Sequence, residues 1–171
     1  LGYQEALSLT SFQPQSQEEL MMFFAHTYHE TGGLSTYEQH CGVSGACAND
    51  YQESWCSPVQ AESGKKYYGR GWFQLSWPCN YNAAGKALGV DFLKNPEKVA
   101  ESDTYAAATA MWFWQANKMG EPARNGNFAG TTKIINPIEC GTTHEQNSRI
   151  EAYQKVRQCF GLSRETTNLS C

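Results

Sequence analysis

Asp103-Thr104-Tyr105-Ala106-Ala107-Ala108-Thr109-Ala110-Met111-Trp112-Phe113-Trp114-Gln115 is apolar almost all round. Its pattern predicts a helix over 104–115 with Asp103 as N-cap. A helix without a polar face belongs in the centre of a core. The rest of the chain reads as elements gathered around it. Ser16, followed three residues later by Glu19, is a capping box. Behind it Leu20, Met21, Phe23, Phe24 and Ala25 give a mostly buried helix to about Glu30, stopped by Gly32-Gly33. Tyr81 to Leu88 is a further helix ending at Gly89. Ser148 to Cys159 is another, with Ile150, Tyr153 and Val156 on one face and Gly161 at its close. Leu1 to Gln15 is mixed and is expected to dock loosely. From Leu34 to Lys66 no period is sustained, which reads as loops. Tyr67, Tyr68, Trp72, Phe73 and Leu75 form an extended, strand-like stretch interrupted by Gly69 and Gly71. The fold class is therefore mainly α: a single compact helical domain with long disulfide-pinned loops and little β structure.

Composition narrows the function. At 171 residues the chain fits one domain, and 13% aromatic residues argue against disorder. A net charge of −4 leaves no basic footprint for nucleic acid. No apolar run approaches the length of a membrane span. Seven cysteines, none in a CxxC pair, point to two or three disulfides formed in an oxidising, secreted and extracellular setting, with at least one thiol left over. Asn168-Leu169-Ser170 is a glycosylation sequon compatible with that setting. The four histidines complete no zinc spacing, and nothing demands more than a monomer.

Two stretches carry candidate chemistry. In His26-Thr27-Tyr28-His29-Glu30-Thr31-Gly32-Gly33, the two histidines stand at i and i+3 without further ligands, so a metal is poorly supported. Glu30 falls at a helix C-terminus, where negative charge is disfavoured by about 0.3–1 kcal/mol. Amid Phe and Tyr, such a carboxyl would tend to keep its proton, as a general acid requires. Glu38 follows eight residues on, beyond the glycine turn, and could face Glu30 across a cleft. Paired carboxyls in unlike environments are the apparatus of glycosidic bond cleavage. Glu53 competes for the second place. The other stretch is Tyr67-Tyr68-Gly69-Arg70-Gly71-Trp72-Phe73-Gln74-Leu75-Ser76-Trp77. There Gln74 and Ser76 alternate with apolar neighbours and would share one face. Bordered by Tyr and Trp, that face suits a sugar, or equally a buried aromatic strand.

The runs FFAHTYHETGGL (23–34), KKYYGRGWFQLSW (65–77), NYNAAGKALGVDFLKNPEKVA (80–100) and IINPIECG (134–141) resemble, in order, the plant-type chitinases of glycoside hydrolase family 19. The similarity extends through nearly the whole chain and is nearest the compact, loop-poor members. It implies a lysozyme-like helical fold and inverting hydrolysis of β-1,4-linked N-acetylglucosamine polymers, with chitin or its oligosaccharides as substrate and no cofactor. Glu30 matches the general acid, Glu38 the general base if the loop is one residue shorter, and Ser76 the serine that helps hold the nucleophilic water. Gln74, Asn80 and Tyr81 match substrate-binding positions in the cleft. Asn136 and Glu139 match polar residues of the far wall, and Arg149 an arginine tied into the carboxylate network. The resemblance also implies disulfides Cys47–Cys56 and Cys140–Cys171, and it leaves Cys41–Cys79 as a conceivable brace. The chain starts late relative to the family, so the catalytic domain is read as residues 1–171 with an N-terminal piece missing or absent by nature. Trp72-Phe73 stand where the family has Pro-Ile, and Cys79 where it has a cleft Tyr. Pro137-Ile138 replace a Gly-Gly-Leu.

Overall fold

The computed structural model describes residues 1–52 and 54–171, with Ser54 by its backbone alone. Its helices are α1 (Gly2–Leu7), α2 (Gln17–Glu30), α3 (His40–Val43), α4 (Pro78–Leu88), α5 (Lys98–Glu101), α6 (Asp103–Ala116), α7 (Gly120–Arg124), α8 (Phe128–Ile135) and α9 (Thr143–Cys159). Single 3₁₀ turns lie at Ser54–Cys56 and Pro137–Gly141. Among the described residues β pairing is confined to two isolated bridges, Glu38 to Arg70 and Arg70 to Leu75. The mainly helical class expected from the sequence is the one observed. The chain divides into two compact units, Leu1–Phe12 with Glu30–Phe113, and Gln13–His29 with Trp114–Cys171.

In the first unit, Tyr67, Leu75, Tyr81, Ala84, Phe92 and Val99 form a buried cluster against which Tyr105 and Trp112 of α6 pack. The alanines of α6 at 106, 107, 108 and 110 are fully buried. They favour the helix and let neighbouring backbone approach closely. Asp103 opens this helix rather than capping it from outside. The opening segment does not dock loosely. Ala6 is fully buried, and Gly2 lies so close to Asp103 that a Cβ there would collide with it. Short-range apolar spacing was too sparse to show α1.

In the second unit, Ser16 caps α2 as expected: its Oγ accepts from the Glu19 amide at 3.1 Å. The Glu19 carboxylate turns to the Gln15 amide at 3.5 Å and to Arg124 of α7 at 3.0 Å. Phe128 of α8 stacks between His26 at 4.9 Å and Tyr153 at 4.7 Å. Helix α9 begins five residues before the expected Ser148. Its inward stripe is partly polar (Gln146 and Arg149 are buried beside Tyr153 and Val156), so an apolar pattern could not mark its start.

The disulfides join Cys41 to Cys47, Cys56 to Cys79 and Cys140 to Cys171, with Cα separations of 5.2, 5.1 and 5.0 Å. Cys47–Cys56 and Cys41–Cys79 are therefore corrected. The Cys47 amide donates to the Cys41 carbonyl at 3.0 Å, which folds the short loop after α3 onto itself. That leaves Cys56 to meet Cys79 at the start of α4, whose amide donates to Cys56 Sγ at 3.3 Å. Cys159 is the exposed free thiol.

Candidate active site

Glu30 is the last residue of α2. The buried Thr31 ends the helix: its carbonyl accepts from the amides of Ser35 and Thr36 at 3.0 and 3.2 Å, and its Oγ1 accepts from Leu34 at 2.8 Å. That reversal needs left-handed backbone at Gly32 (φ 57°) and Gly33 (φ 75°), and it forces the same on Leu34 (φ 65°). A non-glycine residue so held marks a place where the local fold over-determines the backbone.

The reversal delivers residues 37–39 antiparallel to residues 69–71. The Gln39 amide donates to the Gly69 carbonyl at 2.8 Å, and the Gly71 amide to the Tyr37 carbonyl at 2.7 Å. Glu38 thus stands opposite Arg70. Oε1 of Glu38 accepts from the Tyr68 hydroxyl at 3.1 Å and lies 3.4 Å from Arg70 Nε. The Arg70 guanidinium covers the Tyr68 ring at 3.9 Å, and its NH1 donates to the Lys66 carbonyl at 2.8 Å and to the Tyr81 hydroxyl at 3.2 Å. Tyr81 in turn donates to the Tyr68 carbonyl at 2.5 Å. Burial raises the Tyr81 phenol far above its ordinary value, so it stays a proton donor. The result is a carboxylate still 40% exposed, with one oxygen held and the rest open to solvent. That arrangement suits a group that must reach a water.

Gln74, Ser76 and Asn80 surround a tight turn rather than a strand. Arg70 and Leu75 exchange main-chain bonds at 3.1 and 2.8 Å, and Gln74 is left-handed at φ 53°. The alternation that put Gln74 and Ser76 on one face is thereby broken. Gln74 Nε2 donates to the Gly71 carbonyl at 3.1 Å, Ser76 Oγ to the Gln74 carbonyl at 2.9 Å, and Asn80 Nδ2 to the Ser76 carbonyl at 3.0 Å. Glu53 lies outside the described residues. Cys79 is committed to its disulfide with Cys56.

The second unit holds a polar centre of its own. Arg149, fully buried, grips Glu139 through Nε to Oε2 at 2.6 Å and NH2 to Oε1 at 2.9 Å. His29 Nε2 and Asn136 Nδ2 lie 3.2 and 3.3 Å from the same Oε1. Burial alone would raise the Glu139 pKa, but hydrogen bonds from Arg149 and His29 outweigh it and bring it to about 2. His26 is closed to any metal. Its Nδ1 meets Arg149 at 2.9 Å and its Nε2 meets Thr131 Oγ1 at 2.7 Å, whose own proton goes to the Phe128 carbonyl. Nε2 therefore carries the ring proton and Nδ1 accepts. Burial, then the Arg149 charge, holds its pKa well below the usual histidine range.

The sequence reading names Glu38, Tyr81, Glu139 and Arg149, but not Tyr68 and Arg70, which contact Glu38 and Tyr81. The glycines flanking Arg70 were the available signal. They allow close backbone approach, and a side chain on Gly69 would meet the Gln74 and Gln39 amides.

A family model described as chitinase class I matches residues 5–131. The acidic endochitinase SP2 of Beta vulgaris is 43% identical over 159 residues, covering 91% of this chain and 54% of that protein. This chain thus spans about half the length of that relative. The crystal structure of chitinase C from Streptomyces griseus HUT6037 superposes with a TM-score of 0.81 at 32% identity, covering 99% of this chain and 72% of that one. The family 19, class IV chitinase from Zea mays does so with a TM-score of 0.83 at 27% identity, covering 99% and 84%.

Proposed function

This chain belongs to the chitinase class I family, the family 19 glycoside hydrolases, and we propose that residues 1–171 act as one secreted endochitinase domain that cleaves β-1,4-linked N-acetylglucosamine polymers with inversion. The observation that carries the reading is the half-exposed Glu38 carboxylate held at a single oxygen by Tyr68 and Arg70. A water needs an open carboxylate oxygen, and a base needs a fixed one.

In the proposed reaction Glu30 gives its proton to the leaving glycosidic oxygen. Glu38 takes a proton from a water held with Ser76, and that water bonds to the anomeric carbon from the opposite face. Both protons are accounted for: one ends on the new leaving-group hydroxyl, the other on Glu38. An inverting pair stands about 6.5–9.5 Å apart so that the water fits between. Arg70 balances the negative charge of Glu38 until the carboxylate takes that proton. Gln74, Asn80 and Asn136 are proposed to meet the substrate, whereas the fully buried Tyr81 and Arg149 act indirectly, by fixing Arg70 and Glu139. No metal or organic cofactor takes part.

Proton NMR of fresh products from a chitin hexamer tests this. Early α-anomer from wild type, absent with Glu30→Gln, is the expected result. Turnover by Glu30→Gln within tenfold of wild type overturns the acid assignment. Loss of activity in Glu53→Gln but not in Glu38→Gln would move the base to Glu53. Binding shifts without product would instead mark a non-catalytic chitin-binding protein.

A further inference from the structure

The segment that presents Glu38 is pinned from its other side as well. Successive side chains on an extended segment point oppositely, and Tyr37, the neighbour of Glu38, is turned toward the start of α6. Its hydroxyl donates to Oδ1 of Asp103 at 2.6 Å. Burial first, then the Asp103 carboxylate, raises the Tyr37 phenol above its ordinary value, so it remains a donor. The main chain repeats the tie. Tyr37 accepts from Gly71 at 2.7 Å, and the next amide, Trp72, donates to the Ala106 carbonyl at 3.1 Å. One helix therefore fixes both segments of the short ladder, by a side chain on one and a backbone bond on the other.

We propose that Tyr37, held by Asp103, is a positioning residue for Glu38, setting the backbone from which the carboxylate reaches water. This inference rests on Glu38 being the base. Tyr37 touches no reacting atom. It acts by preventing the 37–39 segment from rocking about its two main-chain bonds, a motion that Arg70 and Tyr68 oppose only from the opposite face. A carboxylate allowed to wander by a fraction of an ångström loses rate without losing substrate affinity.

Steady-state hydrolysis of the chitin hexamer by Tyr37→Phe, Asp103→Ala and their double variant tests it, with melting temperatures taken alongside. Each single change is expected to lower kcat about five- to tenfold with KM within twofold. The double variant should be no worse than the poorer single, because both remove one bond. In a Glu38→Gln background Tyr37→Phe should change nothing further, whereas a general loosening of the fold would still multiply the loss. If Tyr37→Phe does not fold, Asp103→Ala, which leaves the Tyr37 phenol in place, should still lower kcat at unchanged KM. A Tyr37→Phe enzyme within twofold of wild type, or a loss that persists without the Glu38 carboxylate, overturns this inference and leaves the proposed function standing. A wild type that releases no product overturns both.

Discussion

The Tyr68 hydroxyl donates to Glu38 Oε1 at 3.1 Å, while Arg70, lying on the Tyr68 ring at 3.9 Å, approaches the same oxygen at 3.4 Å. Glu38 thus meets a donor and a cation that are themselves stacked, so moving one disturbs the other. Such a pair restrains a carboxylate better than two independent contacts.

Gly42 of α3 gives a way to disturb it from a distance. A Cβ at this position would overlap Cγ and Cδ1 of Tyr68. Gly42→Ala should push the ring aside and lower kcat about tenfold or more, with the helical circular dichroism retained. Tyr68→Phe, which removes the hydroxyl but keeps the stack, should show a smaller loss. Kinetics on the chitin hexamer checks both.

The disulfides carry an order of stability as well as a pairing. Peptide mapping without reduction should recover Cys41–Cys47, Cys56–Cys79 and Cys140–Cys171, whose sequence separations are 6, 23 and 31. Loop-closure entropy gives about 2.4, 3.4 and 3.7 kcal/mol for the three. Paired Cys→Ser variants should therefore lose least at Cys41–Cys47 by urea unfolding.

Acid should destabilise the second unit in two stages. His26 has a depressed folded pKa, so below its unfolded value of about 6.5 the unfolded chain takes up a proton that the folded chain refuses, and stability falls. Glu139 is also depressed, to about 2. Its contribution is complete above the unfolded carboxylate pKa of about 4.3 and is lost as pH drops from there toward 2. Melting temperature against pH should decline from pH 7 and then again below pH 4.5. His26→Gln, less stable at pH 7, should flatten the upper slope, and an unchanged slope would contradict the buried neutral tautomer.

Ser16 isolates a helix start far in sequence from either carboxylate. Ser16→Ala removes the acceptor for the Glu19 amide and should cost about 1 kcal/mol. For a chain of this size that is about 2–4 °C in melting temperature. Hexamer hydrolysis at 25 °C should be unchanged.

Legibility in the sequence followed the kind of force involved. Helices α2, α4 and α6 announced themselves through apolar spacing, a Ser16 cap and glycine stops, because those are local properties. Helix α9 was half legible, since Arg149 and Gln146 occupy buried positions that a hydrophobic pattern assigns to solvent. Glu30 and Glu38 were found by chemistry and resemblance. The settings that distinguish them were not legible, because Arg70 and Tyr68 reach Glu38 from some thirty residues away. The expected Cys140–Cys171 bridge is present, but Cys47–Cys56 failed for the same reason: an interval of nine residues carried over by resemblance says nothing of which loop folds back on itself. Strand-like alternation at Gln74 and Ser76 misled because a left-handed residue at Gln74 breaks the period.

The ladder between residues 37–39 and 69–71 rests on two main-chain bonds, and no disulfide joins its two segments directly. Glu30 comes with a helix that propagates through its own backbone, whereas the surroundings of Glu38 exist only after a distant stretch has closed on them. Parts of a fold that depend on few distant contacts open before the rest. Mild denaturant should therefore silence turnover while ellipticity at 222 nm is still native. On dilution, catalysis should return after the helices do.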